Sequence, residues 1–462
     1  GAHGVLNDGD TLSHIAIGRW IIAHRAIPFD DPFSFTAHGQ RWVPHEWLAE
    51  VVFAVVYDRL GWGGVVAATG LAAGAAVGLL TRALAIPLGT RRAVIGAVLA
   101  FALTEGHLLA RPHALAWLLM VIWMSGIIRA RDAGRAPSVV LLPVMILWCN
   151  LHGGFVVGLL FAGLLAIEAA LETPAPQRLR AIGAWGGFLV LAALSALVSP
   201  NGVNLFLLPF EMLRMSFATS SISEWRGVDF THFDPLVIWI GLLILGGYCL
   251  GLRLPLSRAL MVLLLLYLAL THIRNEELLG VIAPLLVAAP LASQLGPTGS
   301  TQADEAATRG RGGVAAPLVA IAGLAVVVAV GALTTASMLN RRGLAPRPNL
   351  APVAAVAAAR QAGLTGHVFN SLRFGGYLVF LGIPTFVDGR ADLFGDAFLQ
   401  RYAEAIGGVG DALPDLLKRY AVQWTLLEPQ TPAVSLLDLL PGWERVYADK
   451  YAVIHRRKIP AK

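Results

Sequence analysis

Ten apolar runs divide the chain: Trp62–Leu80, Ala93–Ala110, Ala114–Ile128, Val139–Cys149, Phe155–Leu171, Ile182–Val198, Pro235–Leu252, Ala259–Leu270, Leu278–Leu295 and Val314–Met338. A crossing of about 30 Å of hydrocarbon takes roughly 20 apolar residues. The pattern therefore predicts a bundle of about ten transmembrane helices. The fourth run is too short for a full crossing. It is expected to form a half-helix hairpin with the fifth, turning at Asn150–Gly154, because irregular backbone at membrane depth is tolerated only against protein or a wet cavity.

After Met338 the pattern changes: lysines appear and the apolar runs shorten. Val368-Phe369, Thr385-Phe386-Val387, Trp424-Thr425-Leu426-Leu427 and Tyr451-Ala452-Val453-Ile454 read as strands. Ser371–Leu381, Ala397–Ile406 and Ala412–Tyr420 read as the helices between them, an α/β sandwich. Gly375-Gly376 and Asp388-Gly389-Arg390 are turn signals, and no Gly-rich nucleotide loop occurs. The expected class is a polytopic α-helical membrane protein with a small C-terminal α/β domain outside the membrane. Residues 1–60 form a first loop, 61–338 the membrane domain and 339–462 the α/β domain.

Composition agrees: 56% of residues are hydrophobic and 14% charged, with mean hydropathy +0.67, whereas soluble domains carry about 25% charged residues. A net charge of +6 and a pI near 9.6 do not imply nucleic acid, which needs a clustered basic face. The basic residues sit instead in short gaps between apolar runs, at Arg82, Arg91 and Arg92, then Arg129, Arg131 and Arg135, then Arg178 and Arg180, then Arg253 and Arg258, then Arg309 and Arg311. Every second loop is basic. The positive-inside rule puts these loops in the cytoplasm and residues 1–60, 200–234, 271–277 and 339–462 on the outer side. The linker Pro297–Gly313 then reads as a flexible cytoplasmic loop. Cys149 and Cys249 fall near opposite faces and cannot bond. The chain opens with Gly1 and polar sequence, so a further N-terminal helix is expected ahead of it.

Overlaying the polar residues on this map puts the candidate chemistry on one side. Asn7 to His14, His45-Glu46, Glu105 and His107, Arg111-Pro112-His113, Asn150-Leu151-His152, Ser199 to Gly202, Glu224-Trp225 and His272 to Glu276 all fall at outer ends or in outer loops. Ionisable groups at membrane depth are costly and mark a site or a pathway by default. Within the first loop Asp10 precedes Leu12, Ile15, Ile17, Trp20 and Ile21 at roughly helical spacing, which casts it as an N-cap. Asp8 has no such structural role in the pattern. Trp42 and Trp47 flank His45-Glu46 and suit a headgroup-level belt, and Trp47–Leu60 reads as a second amphipathic helix lying on the membrane.

An acidic motif in the first outer loop, two interfacial helices, many spans and an outer C-terminal domain together resemble the C-type membrane glycosyltransferase superfamily (GT-C fold). The resemblance covers most of the chain. Asp8-Gly9-Asp10, the stretch Trp42-Val43-Pro44-His45-Glu46-Trp47 and Asn150-Leu151-His152-Gly153-Gly154 look like those of uncharacterised bacterial members. The resemblance implies a polyprenyl-phosphate sugar donor, a first-loop carboxylate acting as base or metal ligand, and residence in the bacterial inner membrane. No Trp-Trp-Asp run of the oligosaccharyltransferases occurs in the tail.

The chemistry of inverting transfer from a phospholipid-linked sugar to a glycan, lipid or protein acceptor needs a base for the acceptor and positive charge for the departing phosphate. Asp8 or Asp10 is the candidate base. His14, His45, Glu46, His107, Arg111, His152 and Arg274 are the candidate substrate-binding residues, the arginines suited by their fork of donors. Asp8, Asp10, His45 and Glu46 are also a candidate ligand set for a divalent cation, Mg or Mn. Asp388, Arg390 and Asp392 either brace a turn or help to bind acceptor. The rival class is a transporter or flippase of lipid-linked glycans, which is expected to show paired repeats with interrupted helices; no internal repeat matches.

Overall fold

The computed structural model describes residues 2–221, 225–249, 251–296, 328 and 330–458. The expected linker Pro297–Gly313, most of the expected span Val314–Met338, and Glu224 lie outside the described residues.

Five described helices are long and apolar enough to cross a membrane: Trp47–Leu88, Pro112–Asp132, Phe155–Glu172, Ala175–Ala196 and Ile273–Leu295. Val139–Leu151, Leu236–Tyr248 and Leu256–Thr271 are shorter apolar helices beside them. The chain is a multi-pass membrane protein. Its buried seam is a continuous apolar cluster that includes Trp123, Trp148, Phe155, Phe161 and Trp185. The second expected run ends early, because the helix Thr90–Thr104 gives way to a 3-10 turn at Glu105–His107. The hairpin turn appears as expected, with Leu142–Leu151 and Phe155–Glu172 meeting through His152–Gly154.

The helix Trp47–Leu88 breaks at Gly61, whose φ of 62° is open to glycine at no steric cost. That break separates Trp47–Leu60 from the span after it. Asn340 spans the gap, donating from Nδ2 to the Leu60 carbonyl and accepting from the Gly63 N–H at 2.7 Å through Oδ1. The polar groups left by the kink are thereby satisfied.

Pro112 and Phe155 start helices whose far ends carry Asp132 and Glu168. There Arg258, buried, binds Glu168 at 2.8 Å and Asp132 at 2.7 Å, and Arg131 binds Glu168 at 3.0 Å. Two of the alternating basic loops thus meet at one end of the bundle, and the polar clusters gather at the other.

The C-terminal domain holds a four-stranded sheet in the order β1-β2-β4-β3, from Val368–Asn370, Trp424–Leu426, Trp443–Ala448 and Val453–Arg457. β1 and β2 run parallel; the other pairs are antiparallel. Thr385-Phe386-Val387, expected as a strand, lies outside the sheet. Its backbone pairs instead with the first loop, Phe35 N–H donating to the Thr385 carbonyl and Thr385 N–H to the Phe33 carbonyl, both at 3.1 Å. On its other side Asn370 donates to the Val387 carbonyl at 2.8 Å. Gly375-Gly376, expected as a turn, lies inside the helix Leu372–Phe380. The pair is needed for close approach: a Cβ on Gly376 would come within 2.1 Å of the Gly9 carbonyl oxygen, and one on Gly375 within 2.5 Å of that of Val387. First loop and C-terminal domain therefore share one core, in which Ile17, Ala37 and Trp42 join Phe369 and Phe386.

Candidate functional site

A cavity of about 430 Å³ opens where the first loop, the C-terminal domain and the polar ends of the helices meet. Asp10, His14, His45, Glu46, Arg111, His152 and Arg274 all line it. Seven of the nine expected site residues, drawn from five separate stretches of chain, therefore face one space.

Arg111 precedes Pro112, which forces it into extended backbone (φ −123°, ψ 160°) just ahead of a helix. The segment is fixed to the first loop by the Ala110 N–H on the Val5 carbonyl at 2.8 Å and the Thr11 hydroxyl on the Ala110 carbonyl at 2.9 Å. The guanidinium then reaches both acids, Nε to Asp8 and Nη2 to Asp10 at 2.6 Å. The two carboxylates differ in kind. Asp8 is 8% exposed and absent from the cavity wall, and its Oδ1 accepts the Asp10 N–H at 2.7 Å. Asp10 is the first residue of the helix Asp10–His24, one past the N-cap Gly9, and turns into the cavity at 30% exposure. Asp10, expected as the N-cap, is instead the first helical residue after Gly9; Asp8 accepts its N–H, and of the two candidate bases Asp10 is the one that faces the cavity.

Glu46 stands immediately before the helix Trp47–Leu88. Its carboxylate is approached by Nε2 of His152 at 3.7 Å, of His45 at 3.8 Å and of His14 at 3.9 Å. One turn further on, buried Glu50 accepts from His14 Nδ1 at 3.3 Å. Burial pushes the Glu46 carboxyl up, but the imidazoles of His45, His14, His152 and His113 outweigh it and hold it at about 2. Burial pushes His14 down, and the Glu50 hydrogen bond with the charges of Glu46, Glu50 and Asp10 reverses this, raising it above 6.5. The surrounding loops are stitched by side-chain amides: Trp47 Nε1 donates to Asn150 Oδ1 at 2.7 Å, and Asn201 Nδ2 to the Pro44 carbonyl at 3.0 Å.

Across the cavity the Arg274 guanidinium lies 4.6 Å from the centre of the Trp225 ring. Among the described residues no carboxylate forms an ion pair with it. His107 does not reach the space; its Nε2 is 3.8 Å from buried Glu276, and its carbonyl accepts from His113 Nε2 at 2.8 Å. From the C-terminal domain Arg390 binds Asp388 and Asp31 at 2.7 Å each, a buried brace. The brace sets Gly389 so close that a Cβ there would meet Asp10 Oδ1 at 2.0 Å. Asp392, two residues on, lines the cavity; burial pushes its carboxyl above the usual range against the opposing pull of His45 and Arg390.

Glu50, His113 and Glu277 also line the cavity and were not among the expected site residues. Glu50 follows Glu46 by four residues, the spacing that puts two side chains on one helix face, a signal that could have found it. For a divalent cation the fit is poor. Asp8 and Asp10 both engage Arg111, apart from His45 and Glu46, and among the described residues no three His, Cys, Asp or Glu side chains stand where they could hold a metal ion.

No protein-family model matches the chain, and no curated protein does. Solved structures do. ArnT from Cupriavidus metallidurans, solved bound to undecaprenyl phosphate, matches at 18% identity over 98% of this chain and 95% of its own, with a TM-score of 0.51. Its apo state matches at 17% identity over the same shares, TM-score 0.50. The fold is that of the C-type membrane glycosyltransferases. The apo oligosaccharyltransferase of Archaeoglobus fulgidus aligns at 12% identity over 91% of this chain and 66% of its own, TM-score 0.48. In this chain the first loop, the polar helix ends and the C-terminal domain all contribute walls to one cavity.

Proposed function

We propose that the protein is a glycosyltransferase of the bacterial inner membrane, moving a sugar from a polyprenyl-phosphate donor to an acceptor on the extracytoplasmic side. Asp10 accepts the proton of the acceptor group as its oxygen or nitrogen attacks the anomeric carbon. The bond from that carbon to the phosphate oxygen breaks, and the polyprenyl phosphate leaves with the electron pair, inverting the configuration. Arg111 orients the Asp10 carboxylate, and Arg274 holds the phosphate. A fixed guanidinium suits this work because its planar fork matches phosphate oxygens and needs no reorganisation as charge develops. The resemblance to ArnT crystallised with undecaprenyl phosphate supports the lipid class.

The observation that carries the reading is the single cavity with a carboxylate at one wall and, at another, an arginine stacked on Trp225 that no described carboxylate neutralises. The test is turnover by purified protein of synthetic polyprenyl-phosphate pentoses and hexoses, read as release of polyprenyl phosphate. At least one should be consumed. No release from any, by protein that is folded and monodisperse, contradicts the reading.

A further inference from the structure

Glu46 and its imidazoles are not used by the chemistry above, yet three histidines converge on this one carboxylate in the cavity wall. The gaps between Glu46 and the three Nε2 atoms, 3.7, 3.8 and 3.9 Å, are too long for hydrogen bonds. The groups converge without satisfying one another. Glu50 adds a buried Oε2 with no hydrogen-bond partner among the described residues.

The partners on the far side of each ring decide what its Nε2 offers. His152 Nδ1 accepts the Gly154 N–H at 3.1 Å, so the ring is neutral and its proton sits on Nε2, a donor. His45 Nδ1 donates to the Val43 carbonyl at 3.3 Å, which fixes the ring with Nε2 toward Glu46. His14 Nδ1 is hydrogen-bonded to Glu50 at 3.3 Å, which leaves its Nε2 facing Glu46 across the 3.9 Å gap. Glu46 accepts. With His14 on the Oε2 side and His45 and His152 on the Oε1 side, an imidazole donor and carboxylate acceptors line the same part of the cavity, and a hydroxyl group, which both gives and takes hydrogen bonds, is the partner such a set fits.

The spacing discriminates between ligands. An oxygen about 2.8 Å from an imidazole and from the carboxylate bridges such a gap. Ligand atoms around a tetrahedral ion at bond lengths of about 2.0–2.1 Å stand roughly 3.3 Å apart, closer than any of these pairs.

We propose that Glu46, with His14, His45 and His152, is a polyhydroxyl-binding nest that holds the sugar being transferred. This rests on the glycosyltransferase reading and adds the part of the cavity that recognises the sugar, leaving Arg274 for the phosphate. The nest makes hydrogen bonds to neutral hydroxyls and supplies no group to the bond-breaking step.

The experiment is saturation-transfer NMR on the full chain in nanodiscs with a panel of free pentoses and hexoses, alongside titration of undecaprenyl phosphate. The wild type should transfer saturation to at least one sugar. Glu46→Gln should weaken that sugar about tenfold or more, the loss expected for a hydrogen bond to a charged group, while undecaprenyl phosphate binds within twofold of wild type. His152→Ala, which leaves the charge of Glu46 in place, should weaken the same sugar and guards against misfolding of the first variant. No sugar signal from the wild type, or equal signals from wild type and both variants, overturns the nest. Binding of Mn²⁺ that is lost in Glu46→Gln and displaces the sugar signal overturns it in favour of a cation site. Failure of the wild type to bind undecaprenyl phosphate counts against the lipid-donor reading and is read separately from the sugar signal.

Discussion

Asp8 and Asp10 share one arginine, and replacing each by Asn separates catalysis from architecture. Asp10→Asn keeps volume and hydrogen-bonding capacity but removes the charge that accepts a proton. Loss of a general base costs about 10²–10⁴ in rate. Its stability cost is small: Asp10 lies one residue past the N-cap, Gly9, and the ion pair lost is partly exposed, worth about 1 kcal/mol or less. Asp8→Asn has the opposite profile. Asp8 is buried, holds the Asp10 N–H at 2.7 Å and binds Arg111 Nε. Asn retains the cap acceptor, but Arg111 loses a buried charged partner, on the order of 2 kcal/mol. Both variants are compared with wild type for donor turnover and for thermal melting in detergent. Asp10→Asn should lose transfer with near-normal melting, and Asp8→Asn should melt lower with turnover reduced in proportion to misplaced Arg111. If Asp8→Asn abolishes transfer at unchanged melting while Asp10→Asn retains it, the assignment is reversed. If both retain full transfer, the first loop is not catalytic.

Three further outcomes are expected. Gly389→Ala puts a Cβ 2.0 Å from Asp10 Oδ1, so it should cut turnover about as deeply as Asp10→Asn although every charge remains; normal turnover would place Asp10 elsewhere during reaction. His14 is raised above 6.5 in the folded protein, so its pairing with Glu50 and Glu46 contributes stability that is full below that value and lost as pH rises through the folded one. Melting temperature should therefore fall with rising pH above about 6.5 more steeply in wild type than in His14→Gln, and equal slopes would refute the pairing. For topology, Leu179→Cys and Leu439→Cys, both highly exposed positions, should react with an impermeant thiol reagent from opposite sides of the membrane in a background with Cys149 and Cys249 replaced. Equal labelling in intact cells would overturn the array.

The bundle was legible because long apolar runs have few other uses, and the gathering of polar clusters at one end followed from the alternation of the loops. What local spacing could not give was long-range geometry. Asp8 and Asp10 look alike in sequence, and the choice between them is made by Arg111, 101 residues from Asp10. Gly375-Gly376 punctuates like a turn, but its function is to admit the Gly9 carbonyl from the far end of the chain. Thr385–Val387 has the residues of a strand and the extended pairing of one, with its partner in the first loop and not in the sheet. His107 shares the right end of the bundle with the site and is turned away from it by Glu276. Glu50 was missed: its four-residue offset to Glu46 could have pointed to it, but the apolar run around it obscures that pattern.

The most direct test of the central claim is a structure of the protein with undecaprenyl phosphate bound. The account predicts the phosphate in the cavity with its oxygens within about 3 Å of the Arg274 guanidinium, the isoprenoid leaving toward the membrane and the Asp10 carboxylate open to the acceptor side. A lipid phosphate bound away from Arg274, or a cavity that stays empty while the lipid occupies another surface, would contradict it.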